Sequence, residues 1–178
     1  GYRLALAKTE VVDNAINKVV IVPEKALKIL LQMPMNDDVD IYIGDRQIRF
    51  NISASTTMIT TLIAGDFVDY TKIIPDTSKT TIYIQTQRLK DAIERASLAS
   101  TVLENKLVRM QIEDSKLTLT ANSEICKTEE TIPIEYEGEA LRIAFNSRYL
   151  LDALNTVRDT DITIWFNGSL NPCAIWPV

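Results

Sequence analysis

The chain has 178 residues, 46% of them hydrophobic, a formal net charge of −5 and no histidine. No apolar run approaches the ~18 residues a bilayer span requires, and no signal-peptide pattern is expected at the start. Without histidine the commonest general base and transition-metal ligand are absent, and the five glycines lie too far apart to cradle a phosphate.

In chain order, short leading strands are predicted around residues 2–7 and 11–12. An apolar strand follows at 19–22, then a helix over 24–33 and strands at 39–43, 47–52 and 57–63. Residues 74–79, with Pro75 and no periodicity, form the linker candidate, dividing the chain into 1–79 and 80–178. A strand at 81–84 then leads to a helix over 87–98, an insertion of about eight residues near 98–107, and strands at 108–112, 116–121 and 128–136. The last series is a strand at 141–145, a helix over 148–157, and strands at 162–166 and 170–176.

The same unit of strand, helix and hairpin therefore recurs three times. Val22, Ile84 and Phe145 fall in one column and Leu27, Leu89 and Leu150 in another, at spacings of 62 and then 61 residues. Repeated supersecondary units build arrays, arcs or rings whose function is a shape rather than a catalytic pocket. The first two copies continue into a further strand; the third stops at Val178, so a closing strand is expected to be missing and an edge left open.

Helical periodicity gathers Ala26, Leu27, Leu30 and Leu31 on one face of the first helix. It gathers Leu89, Ala92, Ile93 and Ala96 on the second, and Leu150, Leu151, Ala153 and Leu154 on the third. All three stripes are expected in the core. Pro23 suits a helix entry, Thr86 a second N-cap, and Asn146 or Ser147 a third. Gly44-Asp45, Asp114-Ser115 and Asn167-Gly168 mark the hairpin turns.

Residues 104–139 hold nine acidic and four basic side chains, which accounts for the whole net charge. Such a stretch is a solvated acidic sheet edge, or an outer surface that turns polyanions toward the basic helices. Cys126 and Cys173 lack metal-ligand spacing and fit a reducing cytoplasm. Asp37, Asp38 and Asp40 invite comparison with an acidic metal site, against the plainer reading of a solvated loop before a strand.

Several phrases carry a resemblance. They are Gly1-Tyr2-Arg3-Leu4-Ala5, Val20-Ile21-Val22-Pro23-Glu24-Lys25-Ala26-Leu27 and Gly65-Asp66-Phe67-Val68-Asp69-Tyr70. With them stand Leu117-Thr118-Leu119-Thr120-Ala121-Asn122, Tyr136-Glu137-Gly138-Glu139 and the run from Phe145 to Leu154. In order and along essentially the whole chain, they resemble the bacterial sliding clamp, the beta subunit of DNA polymerase III. The resemblance implies an α+β DNA clamp fold, with helices packed on antiparallel sheets and the final strand missing. Residues 1–79 would be the rear of the middle domain and 80–178 the C-terminal domain.

The resemblance further implies a head-to-tail homodimeric ring around duplex DNA, bound without sequence preference. It implies cytoplasmic, nucleoid-associated work with no membrane, cofactor, metal or catalytic residue. Lys25, Lys28, Arg88, Lys90, Arg95 and Arg148 are the candidate DNA-facing cations, each otherwise an ordinary solvated helix residue. Tyr2, Arg3, Leu4, Val68, Lys72, Ile73 and Pro172 match a pocket for Gln-Leu-x-Leu-Phe peptides of polymerase and clamp loader. Val68 stands where the family usually has proline and Thr61 where arginine is common. With the last strand also missing, peptide binding is expected to be weaker than by a whole clamp. Leu98 and Ala99 match the subunit interface, but this chain alone is expected to form no ring and no head-to-tail dimer. The alternatives are a truncated clamp acting only as a peptide-binding module, and an unrelated α+β enzyme.

Overall fold

The computed structural model describes residues 2–9, 18–34, 38–98, 106–123 and 126–178. The chain forms two compact units, one of Lys8–Asp69 and one of Gly1–Ala7 with Tyr70–Val178. The contact boundary thus falls at Asp69, before the linker candidate at 74–79. Those residues are drawn to the second unit by hydrogen bonds such as that from Lys79 N to Phe166 O at 2.9 Å.

The Lys8–Asp69 unit carries one repeat. Helix α1 (Glu24–Gln32) precedes the antiparallel strands β1 (Asp40–Ile43), β2 (Gln47–Ser53) and β3 (Thr56–Thr61), in sheet order β1-β2-β3. The expected opening strand at 19–22 is reduced to one bridge, Ile21 with Ile63. Alternation along β2 drives Ile48, Phe50 and Ile52 inward. Val22, Leu30, Met33, Val39, Ile43, Met58 and Leu62 close around them, half-buried. The stripe expected to pack on the core does so only in part. Ala26 is buried, but Leu27 is 42% and Leu31 79% exposed. Among its described residues this unit has no second α-helix to pack on α1.

The second unit carries two repeats. The first contributes β4 (Thr80–Gln85), α2 (Thr86–Ser97), β5 (Leu107–Glu113), β6 (Lys116–Asn122), β7 (Lys127–Pro133) and β8 (Glu135–Gly138). The next contributes β9 (Leu141–Asn146), α3 (Ser147–Leu154), β10 (Asp161–Phe166) and β11 (Ala174–Pro177). Two antiparallel sheets result, ordered β11-β10-β4-β8 and β7-β6-β5-β9. The repeats exchange partners: β10 pairs with β4 and β5 with β9, so each hairpin completes a sheet opened by the other repeat. Helices α2 and α3 pack against each other. Leu89, Ile93 and Leu154 beneath them are fully buried, with Ile82, Met110, Ile112, Leu119, Ile164 and Phe166.

Local chemistry explains the departures from the sequence reading. The strand expected over 128–136 divides at Pro133, beyond which Ile134 N donates to Ser115 O at 3.0 Å and β8 joins the opposite sheet. Asp114 and Ser115 both take positive φ, 49° and 55°, as a tight I′ hairpin turn demands. The last hairpin is looser than a two-residue Asn167-Gly168 turn. Asn171 Nδ2 donates to Asn167 O at 3.0 Å, and β11 begins only at Ala174. Thr86 is not the cap of α2 but its first residue; its hydroxyl donates to Asp159 O at 2.8 Å, and Gln85 holds the cap position. Asn146 caps α3, accepting from Arg148 N at 3.0 Å. The insertion near 98–107 and the strand expected at 11–12 fall largely or wholly outside the described residues.

Candidate functional site

The ordered start of α3 presents Tyr149 and Asp152 three positions apart, hence on one helix face. The extended N-terminal residues lie on that face. The Tyr2 ring stacks on Tyr149 with centroids 5.4 Å apart and planes 16° apart. The Arg3 guanidinium sits 4.6 Å from the Tyr149 ring centroid and is ion-paired with Asp152. Stacking on an aromatic face while binding a carboxylate is a task for arginine rather than lysine. Tyr149 and Asp152 were not among the candidates named from sequence, although both lie within the phrase that carried the resemblance. Their i, i+3 spacing was the available signal.

The other pocket candidates are surface residues. Leu4 is exposed, Lys72 ends a short 3-10 helix over Tyr70–Lys72, and Ile73 N and Ile74 N both donate to Tyr70 O at 3.0 Å. Ile73 and Pro172 are exposed, Pro172 in the loop before β11. Val68, also exposed, belongs to the other compact unit.

The candidate cations divide by what already holds them. Lys28 is bound to Glu24 at 2.6 Å, and that hydrogen bond holds the Glu24 carboxyl below its ordinary value. Arg95 reaches across to β7 with two hydrogen bonds to Glu130, at 2.6 and 3.3 Å. The pair lowers the Glu130 carboxyl and raises the Arg95 guanidinium. Lys25, Arg88 and Arg148 are exposed and Lys90 half-buried. Arg88 borders an open cleft of about 670 Å³ that Glu135 and Asp161 also line, so that surface is of mixed sign. Leu98 is exposed at the end of α2; Ala99 lies outside the described residues.

Among the described residues no group of three or more acidic or cysteine side chains could hold a metal ion. Asp37 lies outside those residues, and Asp38 and Asp40 are exposed. Both cysteines are free, and burial pushes the Cys173 thiol up to about 11. No described helix is long and apolar enough to cross a membrane.

Paired repeats with helices packed on antiparallel sheets place the chain in the sliding-clamp fold class. It resembles the solved sliding clamp of Bacillus subtilis at a TM-score of 0.83 and 33% identity, over 88% of this chain and 42% of that one. It also resembles the DNA polymerase III beta chain of Streptococcus pneumoniae TIGR4 at a TM-score of 0.89 and 29% identity, over 96% and 46%. The Staphylococcus aureus beta sliding clamp is 30% identical over 181 aligned residues, 99% of this chain and 48% of that protein. Sequence models of the DNA polymerase III beta subunit match its central domain at residues 1–69 and its C-terminal domain at 71–178. The chain belongs to the DNA polymerase III beta subunit family, the sliding clamps of DNA replication. It spans about half the length of the curated relatives it matches.

Proposed function

We propose that the chain serves as part of a replicative sliding clamp, a processivity factor that makes and breaks no bonds. Its α3 face and neighbouring surface would capture clamp-binding peptides of polymerase and clamp loader. The observation that carries this reading is the seating of Tyr2 and Arg3 on Tyr149 and Asp152. An aromatic and apolar surface with one fixed cation suits a peptide ending in leucine and phenylalanine, because desolvated anchors supply most of the affinity. Residues 1–79 and 80–178 would act as parts of the middle and C-terminal clamp domains. Tyr2, Arg3, Leu4, Val68, Lys72, Ile73 and Pro172 remain the proposed pocket residues, now joined by Tyr149.

Topological linkage to duplex DNA needs only weak, sequence-independent attraction of lysine and arginine for phosphate. Lys25, Arg88, Lys90 and Arg148 are the best suited of the proposed contacts. Lys28 and Arg95 are less so, being engaged by Glu24 and Glu130. Leu98 and Ala99 would meet the neighbouring subunit in a ring of longer clamps working at the nucleoid.

The test is fluorescence anisotropy of a labelled Gln-Leu-x-Leu-Phe peptide titrated with the chain, beside a peptide whose leucine and phenylalanine are alanine. Selective saturation is expected; equal binding of both peptides would overturn the pocket.

A further inference from the structure

Residues 104–139 read as acidic, yet the fold sorts their charges onto different surfaces. Side chains alternate along the strands of the sheet β7-β6-β5-β9. Val108, Met110 and Ile112 of β5, Leu117 and Leu119 of β6 and Ile143 of β9 turn into the core. Arg109, Lys116 and Arg142 therefore share the opposite, outward face, where all three are exposed. Most carboxylates of the stretch go elsewhere. Glu130 stands on the helix side of β7, engaged by Arg95 of α2. Glu135 and Glu137 belong to β8 in the other sheet, and Asp114 lies in the hairpin turn. Of the two carboxylates that alternation leaves outward, Glu113 accepts from Gln111 Nε2 and Glu129 pairs with Lys127 at 3.7 Å.

The two arginines lie side by side. Across the β5–β9 ladder Arg109 faces Ala144 and Arg142 faces Gln111. They are thus diagonal neighbours, with Cα atoms roughly 7–8 Å apart. On its other side Arg109 faces Thr120, and Gln111 faces Thr118, so no carboxylate stands beside either guanidinium across the strands. Among the described residues Arg109, Lys116 and Arg142 form no salt bridge. Like charges placed together on a sheet repel, and an anion that spans both removes the repulsion.

We propose that this outward sheet face is a separate nucleic-acid contact, which holds the phosphate backbone of duplex DNA independently of the cations on the helices. Arg109 and Arg142 each engage phosphate oxygens through the guanidinium fork, and Lys116 adds a third charge. Thr118, Thr120 and Gln111 supply uncharged donors between them. Three features select duplex backbone as the occupant. Among the described residues the face carries no aromatic side chain on which an unpaired base could stack. Its centre carries no apolar anchor site, so an acidic peptide would be left with charge alone. Ala144, Thr118 and Thr120 are short, which leaves the guanidinium heads free to meet a rod lined with phosphates. The contact is weak, sequence-independent and salt-sensitive. It depends neither on the peptide pocket nor on encirclement of DNA.

The experiment is anisotropy of a short labelled duplex titrated with the 178-residue chain over a series of salt concentrations. R109Q/R142Q should weaken binding and lower the slope of log affinity against log salt by about two, one for each lost phosphate contact. R109K/R142K, which keeps both charges, should retain most of the slope. Far-ultraviolet dichroism should be unchanged in both variants, since the replaced side chains are exposed. Binding of the Gln-Leu-x-Leu-Phe peptide should also be unchanged, which separates failure here from failure of the pocket. R46Q/R158Q removes the same charge from exposed arginines off this face and should bind nearly as the parent does. Equal losses in R109Q/R142Q and R46Q/R158Q would reduce the effect to overall charge and overturn the proposal. So would an unchanged slope in R109Q/R142Q, or a parent that fails to bind duplex at low salt. Displacement by polyglutamate as readily as by unlabelled duplex of equal charge would assign the face to acidic peptides instead.

Discussion

Tyr2 and Tyr149, far apart in the chain, stack with ring centroids 5.4 Å apart and planes 16° apart, and Arg3 lies over the second ring. The arrangement fixes extended N-terminal backbone on the α3 face without a strand or helix of its own. Within the proposed function, Y149A should weaken binding of the Gln-Leu-x-Leu-Phe peptide about tenfold or more, a loss typical of an aromatic anchor. Y149F should bind as the parent does. Anisotropy titration of the three proteins decides it; unchanged affinity for Y149A would remove Tyr149 from the pocket.

The Arg95–Glu130 pair gives a pH dependence of definite sign. Glu130 is depressed in the folded state, so its contribution is complete above its unfolded value of about 4.3. It is lost as pH falls through the lower folded value. The parent should therefore melt higher than E130Q at pH 6–8, by no more than a few degrees given the pair's exposure. The gap should close as pH falls below about 4. Melting curves at stepped pH measure it, and a gap that widened in acid would contradict the assignment.

Gly138 stands at φ +98°, with the position of a Cβ only 1.9 Å from Lys79 O. Both the left-handed backbone and the close approach exclude a side chain where β8 leaves β4. G138A should cost about 1–3 kcal/mol or more in denaturant unfolding. A variant as stable as the parent would mean that this edge yields easily.

For duplex DNA at low salt, K25A should lower the slope of log affinity against log salt by about one, the signature of one lost phosphate contact. R95A should leave the slope nearly unchanged, because Glu130 already engages that guanidinium. The reverse order would redraw the DNA-facing surface.

The two thiols should separate chemically. At pH 8 a disulfide reagent should titrate the exposed Cys126 quickly in the native protein. Cys173, pushed up to about 11 by burial, should react only after denaturant is added. Two fast equivalents in the native state would show that the β11 region opens readily.

Much of this was legible in the sequence because it is local. Periods of 3.6 and 2 located the three α-helices and most strands of the described residues to within a few residues, and the spacing of 62 and 61 exposed the repeat. The family phrases named the relatives. What the sequence left open depends on partners distant along the chain. Leu27 and Leu89 share a repeat position and an apolar character, yet one is exposed and the other buried, because burial depends on whether a second helix is present. Arg95 and Arg88 read alike as helix cations until β7 places Glu130 beside only one of them. Tyr149 stood outside the apolar stripe of its helix and had no assigned role until the fold laid Tyr2 upon it. Local periodicity reports which face of an element is apolar; only the tertiary structure decides what, if anything, covers it.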